Sequence, residues 1–74
     1  MTKKATEHIP VLRNRIKLLR QELGFSQEDL ALRVGVRRET IVHLENNRYN
    51  PSLRLAHDIA QVFSVAIEEV LWYE

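Results

Sequence analysis

The side chains best suited to chemistry stand between Gln27 and Arg48. Arg37, Arg38 and Glu39 are consecutive, and His43 follows Glu39 by four positions, so on a helix the two share a face. Arginine forks onto O6 and N7 of guanine, and glutamate accepts a hydrogen bond from N4 of cytosine. His43 on the same face can reach a base or a phosphate. Glu39 can instead repel phosphates and exclude wrong sequences, or pair with a neighbouring arginine. Gln27, at the expected start of a helix, can bond a phosphate alongside free backbone N–H groups. Thr40 can support a helix start or touch a phosphate, and Asn47, Arg48 and Tyr49 are spaced to grip a flanking backbone. Recognition of duplex nucleic acid is the chemistry these types offer.

Other chemistries find little support. His8, His43 and His57 share no ligand spacing and have no cysteine companions, so no metal site is expected. Glu68 and Glu69 are sequence neighbours that diverge on a helix rather than converge on a substrate. No nucleophile–base pair, P-loop or dinucleotide fingerprint is present, so neither catalysis nor a cofactor is expected. Asn50-Pro51-Ser52 is not a glycosylation acceptor, because proline occupies its middle position.

The elements that must carry the candidate residues are helices. Leu12, Ile16, Leu19 and Leu23 recur at spacings of four, three and four, which predicts an amphipathic helix from about residue 11, closed by Gly24. Ser26 is a good N-cap for a second helix, with Asp29 three positions on in a weaker relative of the Ser-x-x-Glu box. That helix buries Leu30, Ala31 and Val34 and stops at Gly35, where positive φ suits a tight turn. A third helix over about 37–46 buries Ile41 and Leu44 and ends at Asn46-Asn47. Ser52 caps a fourth, with Leu53, Ala56, Ile59, Ala60 and Phe63 on its inner face. A short fifth over about 66–71 turns Ile67, Val70 and Leu71 inward. No strand alternation persists, and the expected class is all-α. The short helix, turn and short helix from Gln27 onward are the connection that sets two helices near 90–120° and points the N-terminal end of the second at base edges.

Seventy-four residues make one domain, and without cysteine neither disulfides nor zinc thiolates can staple it. A hydrophobic share of 45% is too high for a disordered chain, so an apolar core must supply the stability. No apolar run approaches the ~20 residues that span a bilayer. The start of the chain has two lysines but no apolar stretch behind them, so a cytoplasmic protein is the expectation. Residues 1–10 read as a polar tail or arm, and 11–74 as the domain. Net charge is uneven: residues 1–48 carry ten Lys/Arg against six Asp/Glu, while 49–74 carry Arg54 against four carboxylates. A basic front and an acidic back imply an electrostatic footprint at one end.

The run Arg20-x-x-x-Gly24-Phe25-Ser26-Gln27-Glu28-x-Leu30-Ala31-x-x-Val34-Gly35-Val36 resembles the Cro/C1-type helix-turn-helix family. So do Ile41-x-x-Leu44-Glu45-Asn46, Pro51-Ser52-Leu53 and the stretch from Ile59 to Val65. The likeness covers about residues 14–71. It implies a compact five-helix bundle of lambda-repressor type and transcriptional regulation, usually by a dimer on a near-palindromic operator. It also implies that Arg20 and Glu45 pair internally. Asn47 stands where the family commonly has glycine, and Arg37-Arg38 where small polar residues are frequent.

Trp72 and Tyr73 end the chain with large aromatics. They can fold back over Phe63 and Leu71, or form a patch that pairs with a twin subunit. The favoured expectation is a homodimer interface including Val70, Trp72 and Tyr73, which would place two recognition helices ~34 Å apart. A different class of function is an antitoxin or adaptor, docking a toxin or the transcription machinery through the acidic C-terminal segment.

Overall fold

The computed structural model describes residues 9–74. Most of the expected N-terminal tail, up to residue 8, lies outside the described residues. Five helices follow one another: α1 (Ile16–Glu22), α2 (Gln27–Val34), α3 (Arg38–Glu45), α4 (Leu53–Phe63) and α5 (Ile67–Val70). The architecture is the expected compact helical one, with a small addition at the ends of the chain. There β1 (Leu12–Asn14) pairs antiparallel with β2 (Leu71–Tyr73), Arg13 standing opposite Trp72.

Local chemistry sets the helix limits. At the start of α2, Ser26 Oγ accepts from Asp29 N–H and the Asp29 carboxylate accepts from Ser26 N–H, so two otherwise unpaired donors are satisfied reciprocally. Gly35 closes the helix at φ 73°, and a β-carbon there would meet nothing, so glycine is required by conformation rather than by space. Ser52 Oγ accepts from Leu55 N–H at the start of α4.

The capping box predicts an acid-dependent contribution to stability. The hydrogen bonds from Ser26, its backbone N–H first, hold the Asp29 carboxyl below its ordinary 3.8. A carboxyl depressed on folding stabilises the native state above its unfolded value, and that contribution fades as pH falls through the lower folded one. Thermal melts of the wild type and Asp29→Ala should therefore differ most near neutrality and converge as the pH drops below 3.8. A gap that is constant with pH would refute the assignment.

The core is one cluster in which Ile16, Leu30, Ile41, Ile59 and Val70 are sealed from water. Burying each such side chain contributes roughly 1.5–3 kcal/mol. Ala31 is also buried, and its small side chain allows α2 and α3 to approach closely.

The structure corrects the expected helix limits and inner faces at four places. The first helix begins at Ile16, not near residue 11: Leu12 and Asn14 are half-buried with Arg13 exposed between them, the alternation of a strand. Leu23 lies past the end of α1 and is half exposed rather than on its inner face. Leu53, at the first position of α4, is 77% exposed, and Leu55 takes the inner position instead because it is four residues from Ile59. Helix α5 ends at Val70, and Leu71 continues as extended chain with φ −150° and ψ 152°.

The ribbon joins residues about 60 positions apart. Beyond the paired strands, Val11 and Glu74 exchange backbone hydrogen bonds of 3.1 and 3.0 Å, and Arg15 N–H donates to Val70 O at 2.9 Å. The exposed Arg13–Glu74 ion pair adds little to this, since solvent screens it. Among the described residues, no helix is long and apolar enough to cross a membrane.

Candidate nucleic-acid interface

Helix α3 buries Ile41 and Leu44 against the core, which turns the opposite side to solvent. Glu39, Val42, His43 and Asn46 follow one another at i, i+3, i+4 and i+7 and so form that outward face. Glu39, His43 and Asn46 are exposed and Val42 is half-buried. Arg38 opens the helix at the edge of this face, one turn before Val42, and Thr40 is half-buried towards the other edge. Val42 and Asn46 were absent from the residues singled out as contacts in the sequence. Val42 is legible in the sequence as an outward position beside Ile41 and Leu44, and only its apolar side chain argues against a contact. Asn46 reads as a helix terminator, and counting the helical period through Glu39 and His43 finds it.

Arg37 occupies the N-cap of α3 in extended conformation, and its side chain makes no capping hydrogen bond. Two arginines at a helix N-terminus oppose the macrodipole, which favours negative charge there. Among the described residues neither arginine has a carboxylate within salt-bridge distance. The sequence thus places two solvated cations where they weaken the helix slightly, a sign that they serve something other than the fold.

A buried polar cluster sets the angle of this helix to its neighbours. Arg20 Nε and Nη2 donate to Glu45 Oε2 and Oε1 at 2.7 and 3.2 Å, and Nη1 donates to Phe25 O at 2.9 Å. Gln27 Nε2 adds a bond of 3.1 Å to Glu45 Oε1. The charged pair is nearly sealed, with side-chain exposures of 10% for Arg20 and 4% for Glu45. These contacts tie α1, the start of α2 and the end of α3 together. Gln27 is therefore half-buried and held, with one of its amide N–H groups already engaged.

The loop after α3 is shaped by backbone geometry. Asn47 has a left-handed φ of 59°, Asn47 N–H donates to Leu44 O at 3.0 Å and Arg48 N–H donates to His43 O at 2.8 Å. That pair of bonds is a Schellman closure, and it directs Arg48 and Tyr49, both exposed, away from the helix end. Asn47 is itself exposed. Gln27 and the loop from Asn47 to Tyr49 lie on elements that flank α3, the one preceding and the other following it.

The expected dimer residues separate. Val70 is fully buried in its own core, so it has no surface to offer a partner, and this corrects the sequence reading. Trp72 is half-buried, its ring centroid 4.9 Å from the Arg15 guanidinium carbon. Tyr73 is exposed, and its O–H donates to Asn50 Oδ1 at 3.3 Å. Among the described residues there is no pocket, and no group of three or more His, Asp or Glu is placed to hold a metal ion.

Two short helices joined by a glycine turn, the second presenting an exposed and largely polar face, define a helix-turn-helix protein. The chain belongs to the Cro/C1-type helix-turn-helix family, whose profile, described as helix-turn-helix, matches residues 16–70. It is 54% identical over 63 residues to an uncharacterized HTH-type transcriptional regulator of Archaeoglobus fulgidus, covering 85% of this chain and 90% of that one. The antitoxin HipB of Escherichia coli O6:H1 is 38% identical over 56 residues, covering 76% of this chain and 60% of HipB. Among solved structures, the restriction-modification controller protein of Aeromonas hydrophila superposes with a TM-score of 0.68 at 30% identity, covering 73% of this chain and 82% of that one. This is a family of DNA-binding transcriptional regulators, not of enzymes.

Proposed function

We propose that the chain is a repressor that binds an inverted repeat as a homodimer, with α3 in the major groove. The observation that carries this reading is the outward side of α3, where Arg38, Glu39, Val42, His43 and Asn46 stand with no other element of the described fold covering them. Arg37 and Arg38 fork onto guanines, Glu39 accepts from cytosine, and Val42 meets a thymine methyl group. His43 and Asn46 follow along the same groove. Gln27, Thr40, Asn47, Arg48 and Tyr49 hold the backbone on either side. Blocking a promoter is the regulatory act that needs only this face, which favours repression, in the cytoplasm where such DNA lies.

Dimerisation in this reading uses Trp72 and Tyr73 on β2, which sits at the free edge of a two-stranded sheet. A two-fold axis there would set the two α3 helices one DNA turn, ~34 Å, apart. The likeness to HipB supports a second reading, in which the acidic C-terminal segment docks a toxin or other protein. Such a partner and DNA can be bound by different faces of one chain.

Selection from a randomised duplex pool at near-physiological salt tests these readings together. An inverted repeat is the expected result, with enrichment lost in the Arg37→Ala, Arg38→Ala double variant. A non-palindromic motif would keep groove reading and remove the symmetric dimer. Salt-sensitive binding without enrichment would remove sequence recognition and leave the protein-partner reading.

A further inference from the structure

We infer that Asn14, a residue of the β ribbon, is a positioning residue for DNA binding that sets the direction in which Arg48 and Tyr49 leave α3. Its Nδ2 donates to Leu44 O at 3.0 Å and to Asn47 Oδ1 at 2.7 Å, while its Oδ1 accepts from Ile16 N–H at 2.9 Å. Both amide hydrogens are thereby engaged, and none remains for a phosphate. Asn14 acts through the turn it grips and not by touching DNA.

The grip falls where the chain needs it. Leu44 O and Asn47 belong to the Schellman closure, and Asn47 sits in a left-handed conformation that asparagine tolerates better than most non-glycine residues and that the bond from Asn14 helps to fix. The ribbon reaches the same loop a second time, through the Tyr73 hydroxyl on Asn50. One strand therefore holds the start of the loop and the other its end, with Arg48 and Tyr49 between. The sequence concealed this because Asn14 falls inside the expected first helix, where it reads as a surface position.

This inference rests on the proposed contact of Arg48 with phosphate, and the experiment separates the two. Asn14→Ser adds no charge, its hydroxyl can still accept from Ile16 N–H, and it is too short to reach Leu44 O. Affinity for the selected operator and for unrelated DNA would be measured by fluorescence anisotropy across salt concentrations. Far-UV circular dichroism would confirm the folded state. Asn14→Ser is expected to lose roughly tenfold on both DNAs and to flatten the salt slope by about one. The Asn14→Ser, Arg48→Ala double variant should bind nearly as well as the weaker single variant, because both remove the same contact. Losses that multiply, or wild-type binding by Asn14→Ser, would overturn the inference alone. Wild-type binding by Arg48→Ala would overturn both it and the reading of the loop. If Asn14→Ser does not fold, Asn14→Thr replaces it, since its hydroxyl can likewise accept from Ile16 N–H, it is too short to reach Leu44 O or Asn47 Oδ1, and its β-branched side chain suits a strand. The same losses are expected of it, and wild-type binding would overturn the inference.

Discussion

Replacing Glu45 with alanine is expected to destabilise the fold by about 3–5 kcal/mol, because it leaves a buried guanidinium without its counter-charge. The Arg20 side chain is 10% exposed and makes three hydrogen bonds, two of them to Glu45. After the substitution Arg20 keeps only the bond to Phe25 O, and Gln27 loses its acceptor as well. A domain of this size has a stability of only a few kcal/mol to about ten, so the variant should be partly or wholly unfolded at 37 °C. Chemical denaturation followed by circular dichroism measures the loss. Replacing both partners, as Arg20→Met with Glu45→Leu, should recover much of it, since apolar pairs of similar volume often match a buried ion pair. A loss below about 1 kcal/mol for Glu45→Ala, the magnitude of an exposed pair, would show that water reaches the guanidinium and that the pair does not set the helix geometry.

Arg38→Ala should act in the opposite sense on the two properties. Removing a cation from the first position of α3 should leave the fold unchanged or stabilise it by a few tenths of a kcal/mol, up to ~1, through the helix dipole. Affinity for the operator should nevertheless fall by about 1–3 kcal/mol, with relaxed preference at the base pair it reads. Quantitative binding to a panel of single-base operator variants distinguishes a base contact from a phosphate contact. A base contact narrows the gap between right and wrong bases, whereas a phosphate contact weakens every sequence alike. Unchanged affinity and unchanged preference would move the reading surface away from the N-terminal end of α3.

These two substitutions differ in how visible their roles are in the sequence. The outward position of Arg38 follows from Ile41 and Leu44 alone, because two apolar residues three apart define the buried side of a helix and hence its opposite. Helix existence and the turn at Gly35 were legible for the same reason, as periodicity and capping chemistry act within a few residues. The limits were less so. Leu12 and Ile16 match helical spacing by coincidence, and only the backbone bonds to residues 70–74 show that the chain there is extended.

The C-terminal aromatics mark the same boundary. Val70, Trp72 and Tyr73 looked alike as candidate partner contacts, yet one is sealed in the core, one is half-covered beside Arg15, and one is exposed. Asn14 and Asn47, 33 positions apart, meet in a single hydrogen bond whose existence no local pattern implies.

By itself, then, the order of residues determined five amphipathic segments, their caps, the helix-turn-helix connection and the polar face of α3. All of these depend on interactions between residues one to four positions apart. The tertiary structure alone decided the ribbon, the set of residues left at the surface and the hold of Asn14 on the loop after α3. Those depend on which distant segments meet, and that is settled only when the apolar faces of the helices are buried together and the remaining polar groups must find partners across the fold.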